Sequence, residues 1–128
     1  MAGFRSWLRN HCCCVAPPAP TGVVASTGGG SGEVQITWDP LPAAARVALY
    51  RVYQRRSEGQ WWHLAVVAAD APTVLEPGRL GIIDAPDYWP WPTIGSSYPR
   101  CYAVSAVSTR GLEGAFSTVV CGTGPEVP

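Results

Sequence analysis

Tyr102, Val104 and Ala106 alternate with smaller or polar residues along Tyr102-Ala103-Val104-Ser105-Ala106-Val107. That is the period of a strand with one buried face. Ser108-Thr109-Arg110-Gly111-Leu112-Glu113-Gly114 follows, with two glycines and two charges in seven residues, which is turn chemistry. A second strand-like run, Ala115 to Cys121, completes a predicted β-hairpin. A turn centred on Gly111 sets Cys101 opposite Cys121, Tyr102 opposite Val120, Val104 opposite Thr118 and Ala106 opposite Phe116. Directly opposed residues on antiparallel strands lie about 4.5–5.5 Å apart, within disulfide reach. Cys101 and Cys121 are therefore a disulfide candidate on the face away from Tyr102. The alternative is two free thiols separated by a one-residue bulge.

Five further runs precede the hairpin. Pro17-Pro18-Ala19-Pro20 leads into Thr21-Gly22-Val23-Val24-Ala25, and proline suits an entry edge because it lacks a ladder donor. After Gly28-Gly29-Gly30-Ser31-Gly32, the run Glu33 to Trp38 places Val34, Ile36 and Trp38 on one face. Tyr50-Arg51-Val52-Tyr53 opens a third strand, Ser57-Glu58-Gly59 is a turn, and Gln60 to Val67 is a fourth strand. Gly81-Ile82-Ile83-Asp84 is a fifth. The proline-led entry, Trp38-Asp39-Pro40, Y-R-V-Y, I-x-D and Y-x-V-x-A-V with G-x-x-G, in this order, resemble the fibronectin type III family of immunoglobulin-like domains. The resemblance covers residues 17–123. It implies an all-β fold, an antiparallel Greek-key β-sandwich of about seven strands. It also implies a binding or spacing module, not an enzyme. Trp38 is then expected between the sheets with Tyr50, Val52, Tyr102 and Val104. The segment from Ala85 to Pro99 departs from the family's short loop and carries Tyr88-Trp89-Pro90-Trp91-Pro92. The expected organisation is an N-terminal arm (1–16), one sandwich domain (17–123) and a short tail (124–128).

Charge narrows the partners. Nine arginines, no lysine and nine acids give a formal net charge of zero. No basic stripe interrupts the chain, so nucleic acid is not an expected partner. No apolar run is long enough for a membrane span, and none near Met1 has signal-peptide form. Neutral charge gives little colloidal protection, which suits a protein seated in an assembly.

The arm holds Phe4, Trp7 and Leu8 at helical spacing, with Arg5 and Arg9 turned aside. So short a helix is marginal alone and needs a surface to lie on. Cys12, Cys13 and Cys14 follow His11, but zinc sites space their ligands because adjacent residues diverge. Intermolecular disulfides, or thiols buried against a partner, fit this cluster better. Phe4, Trp7, Leu8, Cys12, Cys13 and Cys14 are thus read as partner-binding, docking the arm on a protein neighbour; the alternative is a disordered start, the usual fate of chain ends.

Trp61, Tyr88, Trp89 and Trp91 complete the partner-binding candidates. Neighbours on a strand face opposite sides, so only one of Trp61 and Trp62 enters the core. The resemblance to the family's strand implies that Trp62, Leu64 and Val66 point inward, with Trp61 and His63 outward beside Arg51, Tyr53 and Arg55. Trp89 and Trp91 sit in a proline-stiffened loop, which lowers the entropy lost on binding. The alternative is that this loop folds back over one end of the sandwich. No nucleophile, phosphate-loop or metal motif is present, so catalytic, cofactor-binding and metal residues are all expected to be none. Asp84 and Asp87 are read as turn caps. The leading expectation is a non-enzymatic structural protein of a large assembly, an accessory or decoration component of a bacteriophage virion head or tail, present in many copies. Its expected location is a virion or an extracellular surface. The second expectation is a carbohydrate-binding or adhesion module that meets a surface glycan through exposed tryptophans.

Overall fold

β-Branched and aromatic residues dominate the alternating runs and suit pleated, half-buried strands; of the run Ala115 to Cys121 only the end, within Val120–Gly122, is a strand. A computed structural model describes residues 15–27, 33–56, 60–85 and 100–122. Its strands are β1 (Thr21–Thr27), β2 (Val34–Asp39), β3 (Val47–Arg56), β4 (Trp62–Ala68), β5 (Leu80–Asp84), β6 (Arg100–Ser108) and β7 (Val120–Gly122). They form two antiparallel sheets, ordered β1-β2-β5 and β4-β3-β6-β7. The chain is an all-β sandwich. Residues 1–14 and 86–99 lie outside the described residues, and so do Phe4, Trp7, Leu8, Cys12, Cys13, Cys14, Tyr88, Trp89 and Trp91. Among the described residues no helix is long and apolar enough to cross a membrane.

The core lies between the sheets. Val34, Ile36 and Trp38 of β2 meet Tyr50 and Val52 of β3 and Tyr102, Val104 and Ala106 of β6, with Leu80 and Val67 closing the cluster. The Trp38 and Tyr50 ring centroids are 5.6 Å apart. The Tyr50 hydroxyl accepts the Leu41 N–H at 2.7 Å, so this buried polar group is satisfied. Burial pushes the Tyr50 pKa up, against the opposing pull of that hydrogen bond.

Asp84 corrects the sequence reading. It is buried at the end of β5 and bonded to the opposite sheet, while Asp87 lies outside the described residues. Its Oδ2 accepts from Gln54 Nε2 at 2.5 Å, from an Arg100 guanidinium nitrogen at 3.2 Å, and from the Tyr102 hydroxyl. Arg100 is as buried as its partner, so the ion pair has little water around it. A buried carboxylate needs such partners because desolvation of a bare charge costs several kcal/mol. Burial first, and the Asp84 carboxylate second, push the Tyr102 hydroxyl well above its usual range.

The outer face of the three-stranded sheet is held by Arg79. Its guanidinium donates to Asp39 at 2.5 Å, to Glu76 at 3.1 Å, to the Thr37 hydroxyl at 3.2 Å and to the Gly22 carbonyl. One side chain thus ties β1, β2 and the turn before β5.

The last hairpin has a different register from the one expected. Near the turn the centre is Arg110: the Gly111 N–H bonds the Ser108 carbonyl, Val107 opposes Glu113, and the Gly114 N–H bonds the Ala106 carbonyl. The chain then slips once, so that the Ser117 N–H bonds the Val104 carbonyl, and slips again before Tyr102 opposes Val120. Val104 therefore faces Ser117, not Thr118, and Ala106 faces Gly114, not Phe116. Both glycines of the G-x-x-G motif have a steric reason. Gly111 has φ 87°, and a Cβ on Gly114 would stand 2.0 Å from the Pro17 carbonyl oxygen. Beyond the slips, Cys101 opposes Cys121, with Cα atoms 4.0 Å apart and the sulfurs bonded.

The bond spans a sequence separation of 20. Loop-closure entropy assigns such a crosslink about 3 kcal/mol. A Cys101→Ala/Cys121→Ala double variant is expected to unfold at lower urea concentration, with stability reduced by about that amount. An unchanged midpoint for the double variant would show that the crosslink contributes nothing.

Candidate functional site

β3 has two unlike faces because its residues alternate. Tyr50, Val52 and Gln54 enter the core, while Arg51, Tyr53 and Arg55 stand on the outer face of the four-stranded sheet. His63 of β4 lies opposite Tyr53, and their ring centroids are 5.4 Å apart, edge to face. Phe116 lies over the other side of Tyr53, at 4.7 Å and 31°. Trp61 meets Phe116 edge-on at 6.3 Å. The Arg55 guanidinium lies 4.9 Å from the centre of the Trp61 ring, a cation–π contact. The result is a continuous row: His63, Tyr53, Phe116, Trp61, Arg55. Ala103 lies opposite Tyr53 on β6 and is fully buried although it faces outward, so small size at that position lets the ring row lie close to the sheet.

Glu113 anchors one end of the row. Its carboxylate accepts from Ser105 Oγ at 2.5 Å, from the Tyr53 hydroxyl, and from Arg51 at 3.2 Å. Partial burial pushes its pKa up, but the hydrogen bonds from Ser105 and Tyr53 and the Arg51 charge outweigh this and hold it below the ordinary carboxylate value. Burial and the bond to Glu113 raise the Tyr53 hydroxyl. Tyr53 is thus a neutral donor locked in one rotamer, and the ring row inherits that rigidity.

Of the residues expected at a site, Trp61 takes its place in the row, which also holds His63, Tyr53 and Arg55, with Arg51 beside it on the same face. The expectation for Trp62, Leu64 and Val66 is corrected. A β-bulge shifts the β3–β4 register between Val52 and Tyr53. Ala65 and Val67 consequently face Val52 and Tyr50, while Val66 opposes outward-facing Arg51. Trp62 stands at the sheet edge, 68% exposed. Phe116 was missed by sequence reasoning. The symmetric register put it opposite core-facing Ala106, and the slip at Ser117 turns it outward, where it is 43% exposed. The Cys101–Cys121 bond closes the same face, since Cys101 opposes Arg55. The other candidates lie outside the described residues.

No family model and no curated protein matches the chain. Among solved structures, it is similar to a β-1,2-glucanase from Parabacteroides distasonis, with a TM-score of 0.52 and 17% identity. The match covers 89% of this chain and 14% of that chain. At this identity the likeness establishes the sandwich, and this chain corresponds to a small part of the larger enzyme. It also corrects the leading expectation. The virion reading rested on a lone module without an export signal, neutral charge, the apolar arm and fold-level analogy. The fold analogue found belongs to an enzyme of glucan chemistry, not to a particle, and the virion reading is withdrawn.

Proposed function

We propose that this chain is a non-catalytic carbohydrate-binding module that receives a polysaccharide along the outer face of its four-stranded sheet. The row from His63 to Arg55 carries this reading. Sugar rings present C–H faces that pack on aromatic rings, and a rigid row costs little ordering entropy on binding. The Tyr53 hydroxyl and Glu113 are already bonded to each other, so the row is fixed before a ligand arrives.

We further read the chain as being of the fibronectin type III kind. The quoted motifs, with a buried tryptophan on β2 and sheets of three and four strands, support this. The Cys101–Cys121 bond favours an oxidising, extracellular setting.

Affinity electrophoresis of the full chain through gels containing β-1,2-glucan, other neutral β-glucans or acidic polysaccharides tests the proposal. Retarded migration in at least one polymer is expected, and Phe116→Ala is expected to abolish it while Val24→Ala, on the opposite sheet, leaves it intact. Free migration of the wild-type chain in every gel would overturn the proposal.

A further inference from the structure

The charges on this face are unevenly placed. At one end Arg51 is paired with Glu113, which leaves that end neutral. Arg55 lies four residues further along β3, about 13 Å away at strand rise. Among the described residues it has no carboxylate partner, and its buried Nε has no hydrogen-bond partner. Its guanidinium instead lies on the Trp61 ring. Its neighbours on this face cannot neutralise it: Cys101, opposite on β6, is disulfide-bonded, and Trp61, against its guanidinium, carries no charge. Among the described residues this end of the face therefore carries a positive charge packed on an aromatic ring.

We propose that the ligand is an acidic polysaccharide built from uronic acids, with a ring packed on Phe116 and its carboxylate held by Arg55. This rests on the carbohydrate-binding reading above and specifies its substrate class. A planar guanidinium pairs with a planar carboxylate through two parallel hydrogen bonds. Packing on Trp61 restricts the guanidinium and so reduces the side-chain entropy that such a bond normally costs. A neutral glucan would leave the Arg55 charge without a counter-ion, and burying it under the sugar would then cost free energy. The complementarity thus disfavours neutral chains as well as favouring uronates.

Dissociation constants of the full chain would be measured for a polyuronate, a neutral β-glucan and a sulfated glucan at low and at high salt. The polyuronate is expected to bind most tightly, with affinity falling as salt rises. Arg55→Gln should weaken polyuronate binding by about tenfold, the scale of one charge-assisted pair, and leave neutral-glucan binding unchanged. Arg55→Lys, which keeps the charge but not the fork, should fall between the two. Near-equal binding of neutral and uronate polymers, insensitive to Arg55→Gln, overturns the uronate assignment and leaves the ring row as a glycan platform. Preference for the sulfated chain also overturns it. Binding to none of the three removes both readings. Circular dichroism of each variant guards against loss of fold.

Discussion

Trp38→Ala is expected to lower stability by about 3–5 kcal/mol, the usual cost of deleting a large aromatic side chain from a packed core. Trp38 is fully buried, with Tyr50, Val52, Tyr102 and Val104 in the same cluster. The vacated volume lies between two sheets crosslinked by the Asp84 network, so neighbouring side chains cannot collapse into it freely. For a small domain with a total stability of about 5–15 kcal/mol, such a loss is a large fraction of the whole. The midpoint of thermal unfolding should drop by roughly 10–20 °C. A variant that melts with the wild type would refute the central position of this side chain. Trp38→Phe is expected to lose much less, because it keeps most of the buried volume.

The second large effect is expected at the buried ion pair. Arg100→Met removes one partner and leaves the Asp84 carboxylate enclosed, with only the neutral donors Gln54 and Tyr102. Breaking a buried pair in this way costs about 3–5 kcal/mol. Asp84→Leu removes the carboxylate that Arg100 pairs with across the sheets and is also expected to lower stability. The double variant should be less damaging than the sum of the two single variants, because no charge is then left unpaired. Urea unfolding of the four proteins completes the cycle. Additive single losses, or an Arg100→Met protein as stable as wild type, would mean that this pair does not join the sheets as its geometry indicates.

These two positions differ in how visible they are in the chain. Trp38 is legible, because Val34, Ile36 and Trp38 recur at period two and the period alone selects the buried face. The same holds for Tyr50 and Val52 and for Tyr102 and Val104. Alternation thus specified an all-β chain and six of its strands to within a few residues, while the family resemblance supplied the sandwich and the outward placement of Trp61 and His63 beside Arg51, Tyr53 and Arg55. It could not specify Asp84. A carboxylate next to a turn reads as a cap, and its burial depends on Arg100 and Tyr102 arriving from the other sheet.

Register was the other limit. Because side chains alternate, a slip of one residue exchanges the faces of everything beyond it. The bulge between β3 and β4 sent Val66 outward and Val67 inward. The slips in the last hairpin sent Phe116 outward to cover Tyr53. They also brought the chain back into the register that sets Cys101 against Cys121. The sequence by itself therefore determined which segments are strands and which residue types border the outer face. Only the tertiary structure decided that Phe116 joins Tyr53, Trp61 and His63 in one row ending at Arg55. Period two is a local property of each strand, whereas the offset between two strands is settled by turn geometry, a Gly114 pressed against Pro17, and hydrogen bonds that only the folded chain can make.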